Sequence, residues 1–186
     1  LKSTKRVMLN WRQNWMPVAL TNRQITTRID LRWLGNQARK LLKLLNRPSD
    51  ELSVLLVDDK EMVCLNGRYR SEERATDVLA FPQYDNEVQS GAVLGDVVIS
   101  VETALRQLKT SKTQIKSSSE NPLWEVEAGS PLGEEVIRLM VHGTLHLLGY
   151  DHATDAQFRN MQVEEGRCLQ EMFSNEIPIQ HKKRKS

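Results

Sequence analysis

The sequence predicts one domain that mixes helices with short strands. Three observations point there. The 186 residues are 39% hydrophobic and 27% charged, enough for one core with some chain left outside it. From Ile25 to Asn46, apolar residues recur at helical spacing: Ile25, Ile29, Leu31, Leu34, Ala38, Leu41, Leu42 and Leu45, with Arg and Lys between them. Leu52–Val57 then follows as a short, nearly continuous apolar run, the mark of a buried strand.

The elements follow in order. Val7, Leu9 and Trp11 alternate weakly and predict an edge strand over Val7–Trp11. The helix of Ile25–Asn46 is stopped by Asn46 and Pro48. After the strand of Leu52–Val57, Asp58 and Asp59 can cap a short helix ending at Gly67. Asp77–Phe81 is a second short strand, closed by Pro82. Gly91–Ile99 is a third, and Ser100 can cap a helix to about Lys109. Residues 110–130 are rich in Ser, Thr and Lys and predict a flexible insertion within the one domain.

Ser130-Pro131 opens the next helix, with Pro at its first position and Glu134 and Glu135 in the first turn, where carboxylates suit the dipole. Val136, Ile137, Met140, Val141, Thr144, Leu145 and Leu148 form its apolar face, and Gly149 ends it. Thr154-Asp155-Ala156-Gln157 is a capping box for a last helix through about Phe173. The expected domain is therefore residues 1–176. Residues 177–186, with Lys182-Lys183-Arg184-Lys185, are expected to form a basic disordered tail.

Composition removes several classes. The apolar runs, such as Val54–Val57 and Leu139–Val141, are too short to span a membrane. Polar residues from Asn10 to Asn14 interrupt any signal-peptide core after the basic start. The chain begins at Leu1, so its true N-terminus is expected to be trimmed or misplaced. Two cysteines, Cys64 and Cys168, are too few for a disulfide framework or a cysteine metal site, and a reducing, cytoplasmic setting is expected. A net charge of +2 permits a polyanion partner without arguing for one.

The chemistry concentrates in one stretch. Three of the four histidines, His142, His146 and His152, fall in His142-Gly143-Thr144-Leu145-His146-Leu147-Leu148-Gly149-Tyr150-Asp151-His152. His142 and His146 project from one helix face, about 6 Å apart. Gly149 lets the chain reverse and return His152 towards them. Three imidazoles with an open fourth position are the layout of a catalytic zinc site. Imidazole favours zinc, and also suits nickel, copper and iron.

This spacing also occurs in metzincin proteases, where a Glu after the first His is the general base. Here that position is Gly143, which cannot accept a proton. The metal geometry is kept and the protease's base is missing.

With glycine in that place, the stretch resembles the signature of the YbeY family of rRNA maturation factors, also described as endoribonucleases. Two further blocks carry the resemblance. Asn66-Gly67-Arg68-Tyr69-Arg70 with Ala75-Thr76-Asp77-Val78-Leu79-Ala80-Phe81-Pro82 is one, and Leu94-Gly95-Asp96-Val97-Val98-Ile99-Ser100 is the other. Phe158 and Met161 sit where the family's last helix begins. The match runs over about residues 52–173, broken by the insertion, and Ala80 replaces a usual Ser.

The resemblance implies an α+β fold: a small mixed sheet with helices packed on it and the zinc-binding helix central. It implies a zinc-dependent endoribonuclease acting on single strands, with one Zn2+ per chain on His142, His146 and His152. Its implied roles are small-subunit ribosomal RNA maturation and ribosome quality control, with ribosomal RNA and the ribosome as partners. Two other readings stay open, a metalloprotease-like hydrolase and a non-catalytic, ribosome-associated zinc protein.

Individual residues take expected roles. Arg70 is the candidate catalytic residue, since a guanidinium fork meets two phosphate oxygens at once, and the family pattern places it in the cleft. Asp151 either orients a histidine or shapes the turn. Asp77 and Asp96 either pair with Arg70 or serve structure, the latter being expected. Arg68, Arg70 and Arg74, and Arg106, Lys109, Lys112 and Lys116, are either an RNA track or a solvated face. Trp11, Trp15, Trp33 and Trp124 are read as packing residues, with base stacking the alternative for Trp124. Cys64 is expected to be buried.

Overall fold

The computed structural model describes residues 17–83, 91–111 and 125–174. Its main sheet has four strands: β1 (Val18–Asn22), β3 (Glu51–Val57), β5 (Val93–Ser100) and β4 (Val78–Pro82), in that spatial order. β1, β3 and β5 are parallel, and β4 joins antiparallel to β5 at the edge. Parallel neighbours need a crossover. α1 (Leu31–Leu44) supplies it between β1 and β3. A second, two-stranded sheet pairs β2 (Arg28–Ile29) with β6 (Glu125–Val126).

Four helices cover one face of the main sheet: α1, α3 (Val101–Ser111), α4 (Pro131–Leu147) and α5 (Asp155–Phe173). α4 is apolar almost all round. Leu132, Val136, Ile137, Leu139, Met140, Val141, Leu145 and Leu147 are all buried, so the helix sits in the core. It touches α1, α3 and α5 as well as β4 and β5. On the opposite face α2 (Asp59–Arg70) packs a small cluster of Val57, Met62, Leu79 and Val98. The mixed sheet, its packed helices and the central α4 are the α+β fold expected above. Among the described residues no helix is long and apolar enough to cross a membrane.

The caps fall where the sequence puts them. Asp58 accepts from the Glu61 N–H, Ser130 from Gly133, and Thr154 and Gln157 form the reciprocal capping box. Several boundaries differ. The first helix starts at Leu31, not Ile25, and Ile25 is 95% exposed. The Gln24 side chain accepts from the N–H groups of Thr26 and Thr27, and Asp30 caps the helix by accepting from Trp33. These local bonds hold the backbone out of the helix, so the apolar spacing of Ile25 and Ile29 is coincidental. α2 does not end at Gly67. It runs to Arg70 and closes on Ser71 in the left-handed region, whose N–H donates to the Asn66 carbonyl. Cys64 is exposed, against the expectation of burial, because α2 turns only Met62 and Asn66 fully inward.

Within the expected insertion, Glu125–Val126 form β6, and residues 112–124 lie outside the described residues. Val126 is fully buried, and Ser130 donates to the Glu125 carbonyl. The proposed edge strand at Val7–Trp11, Trp15, Lys112, Lys116, Trp124, His181 and the basic tail lie outside the described residues. Trp33 is half-buried and packs on the core, as expected.

Candidate metal centre and cleft

α4 carries His142 and His146 one turn apart, with ring centroids 4.8 Å from each other. Gly149 then adopts a φ of 84°, a conformation that glycine takes at little cost. The Gly149 N–H donates to His146 and the Tyr150 N–H to Leu145, which satisfies the last carbonyls of α4. The reversed chain brings the His152 ring to 5.2 Å from His146 and 6.3 Å from His142. One nitrogen from each ring lies within 4.8 Å of the others, so the three can hold a metal ion. His142 and His146 are half-buried and His152 is exposed, which leaves one side open.

The outer contacts set which nitrogen points inward. His146 Nδ1–H donates to the Tyr150 carbonyl at 3.0 Å. His142 Nδ1 lies 3.6 Å from Glu165 Oε1. Both assignments free Nε2, and the two Nε2 atoms face each other at 3.2 Å. Two lone pairs that close repel unless a cation or proton lies between them. Burial, and then the neighbouring His142 and His152, push the His146 pKa below the ordinary imidazole value. Burial thus disfavours a proton on His146, and the three ring nitrogens are a donor set that fits a metal ion. Glu165 is held ionised below the usual carboxylate range by His142, with Arg138 adding to the effect.

Sequence reasoning missed Glu165. Its signal is position: Met161, Glu165, Cys168 and Met172 fall on one stripe of α5, and the other three are buried. A carboxylate on an apolar stripe needs a partner, and that partner is the His142 ring.

The cleft beside the histidines has a volume of about 410 Å³, lined by Arg70, Thr76, Asp77, Val78, Ala80, Gly143 and Asp151 as well as by the three rings. Arg70, the last residue of α2, has no ion-pair partner among the described residues. Asp77 is engaged elsewhere: it accepts from the Val78 N–H, the Thr76 hydroxyl and Gln107. Asp96 accepts from Gln83 and does not line this cleft. Asp151 accepts from the His152 N–H, which is the turn role. Of the basic groups, Arg74 pairs with Glu72, and Arg106 with Asp59.

Gly143 has a packing reason. A Cβ there would lie 2.7 Å from Val97 Cγ1 and 3.2 Å from Val78 Cγ2. The α4 backbone is pressed onto β4 and β5 at this point, so no glutamate fits between them. Gly143→Ala is expected to destabilise the fold by ~1–3 kcal/mol through overpacking, read as a lower midpoint in denaturant. An unchanged midpoint would show that Val97 and Val78 move aside freely.

Comparison with known proteins shows the family. The family model for endoribonuclease YbeY matches residues 19–122 and 125–173. The endoribonuclease YbeY of Syntrophus aciditrophicus is 35% identical over 158 residues, which covers 83% of this chain and 84% of that protein. That of Aquifex aeolicus is 39% identical over 152 residues, covering 82% and 83%. The solution structure of TM1509 from Thermotoga maritima matches with a TM-score of 0.56 at 21% identity, over 84% of this chain and 89% of that one, a likeness of fold. By the family model and these relatives, the chain belongs to the endoribonuclease YbeY family.

Proposed function

We propose that this chain is a zinc-dependent endoribonuclease that cuts single-stranded segments of ribosomal RNA during small-subunit maturation and quality control, in the cytoplasm and in contact with the ribosome. The observation that carries this reading is the cleft itself, which three imidazoles line together with the Arg70 guanidinium, a group with no ion-pair partner among the described residues. Neutral nitrogen donors suit zinc, and none of the three carries a charge to cancel the ion's. His142, His146 and His152 would hold the metal, which when bound would supply Lewis acidity and positive charge to the cleft. The chain's own residues do the rest. The Tyr150 carbonyl and Glu165 fix the tautomers of His146 and His142. Arg70 holds a phosphate oxygen pair against the metal side of the cleft.

A peptidase reading fails on Gly143, where packing against Val97 leaves no room for a carboxylate. A non-catalytic zinc protein does not need an open cleft of 410 Å³ at its metal. Metal analysis paired with cleavage of a labelled ribosomal RNA precursor, on wild type and His146→Ala, tests the proposal. A metal-loaded wild type that leaves the RNA intact refutes it.

Glu165 provides a second test. Glu165→Ala is expected to weaken zinc binding roughly 10–100-fold by releasing the His142 ring. Glu165→Gln keeps an acceptor and should recover part of the loss. Equal affinity in both variants and wild type would leave Glu165 a packing residue only.

A further inference from the structure

We propose that Tyr69 and Phe81 form a stacking platform for one base of the single-stranded RNA, on the far side of β4 from the metal cleft. This rests on the endoribonuclease reading and adds a base subsite to it. The two faces of the main sheet are unequal. Among the described residues, four helices cover one, while on the other α2 covers only the end around Val57, Leu79 and Val98. The uncovered part is a second cavity of about 410 Å³, lined by Tyr69, Phe81, Ser53, Gln83 and Asp96 among others.

The aromatic pair there is placed for stacking. Tyr69 is 57% exposed, unusual for so large a ring. Its ring meets Phe81 edge to face at a centroid distance of 4.9 Å and an angle of 60°. The Arg68 guanidinium lies over the Tyr69 ring, 5.5 Å from its centroid, as a flexible cap that an incoming base would displace or extend. Rings of this kind, with an arginine beside them, take unpaired bases of any sequence.

Continuity with the metal cleft names the occupant. Tyr69 immediately precedes Arg70, which lines that cleft. Side chains alternate along β4. Val78 and Ala80 line the metal cleft, whereas Phe81 lines the second cavity. β4 is also the edge of the sheet, so a single strand can cross it. A chain whose phosphate is held by Arg70 then has its next base at the Tyr69 ring. Asp96 pairs with Phe81 across the sheet and with Ser53 on its other side. Its carboxylate repels a phosphate but accepts from the exocyclic amino group of a base. Charge therefore puts the backbone on the Arg70 side and a base in the cavity.

The test uses zinc-loaded full-length chain and a short single-stranded RNA in which each base in turn is replaced by an abasic site. Binding and cleavage are followed for wild type, Tyr69→Ala, Tyr69→Phe and Phe81→Leu. In wild type, one abasic position should weaken binding about tenfold. Tyr69→Ala should bind intact RNA about tenfold more weakly and be indifferent to that position. Phe81→Leu should follow it in part, and Tyr69→Phe should match wild type. A folded Tyr69→Ala with the affinity and abasic profile of wild type overturns the platform while RNA cleavage by wild type upholds the enzyme. Loss in Tyr69→Phe equal to that in Tyr69→Ala puts the effect on the hydroxyl and overturns stacking. A wild type that neither binds nor cuts RNA overturns both readings.

Discussion

In His146→Ala, bound metal and RNA cleavage should disappear together. His146 is the middle ring of the three, 4.8 Å from His142 and 5.2 Å from His152 between centroids. Without it, two donors remain on opposite sides of the gap. Removing an outer partner of a ligand costs roughly 10–100-fold in affinity or activity, and removing the ligand itself should cost more. The fold should persist, because α4 is held by Val136, Ile137, Met140, Val141 and Leu145 in the core, not by its histidines. Elemental analysis should therefore show about one zinc per wild-type chain and almost none in His146→Ala or His142→Ala, with unchanged circular dichroism. Equal metal in the variants and wild type would mean that the ion sits elsewhere. Activity lost with metal retained would make the rings catalytic without being ligands.

The reason this centre could be read from sequence is that it is local. A helical spacing of four and one glycine bring three rings together within eleven residues, with no knowledge of the sheet required. Its outer contacts are of two other kinds. The Tyr150 carbonyl is a backbone group, which no residue type announces. Glu165 arrives from α5, and only the position of a carboxylate on an apolar stripe hints at it. Gly143 was legible as a missing base but not as a contact, because the residues it touches, Val97 and Val78, lie on strands whose order the sequence does not state.

The same division holds for the fold. Caps at Asp58, Ser130 and Thr154 are short-range hydrogen bonds and are visible in the sequence. β1 is not, since its residues Val18–Asn22 carry one buried side chain and lack the alternation of a half-buried strand. Its place is set by pairing with β3, a long-range fact. The layout of one mixed sheet around a central helix came from the resemblance to a family, and the strand order agrees with it.

Arg70→Ala should leave zinc content and stability unchanged and slow RNA cleavage about tenfold to a hundredfold. Three facts lead there. Arg70 is exposed at the end of α2, so truncating it removes no core contact. It lines the same cleft as the three histidines, yet it is not among the metal-binding group. It has no ion-pair partner among the described residues, whereas nearby Arg74 and Arg106 are tied to Glu72 and Asp59. The cleft's carboxylates, Asp77 and Asp151, accept from other groups, so among the described residues the Arg70 guanidinium is left for a phosphate, and its two parallel N–H groups match two phosphate oxygens. One charge-assisted contact contributes about 1.5–3 kcal/mol, which is the stated rate factor if it is made in the transition state. Arg70→Lys keeps the charge and loses the fork, so it should recover only part of the rate. If the contact is made equally to bound RNA, KM rises and kcat stays; if it forms as charge develops on the phosphate, kcat falls. A folded, metal-loaded Arg70→Ala that cuts at the wild-type rate would remove Arg70 from the mechanism and leave the histidine centre to act on the phosphate alone.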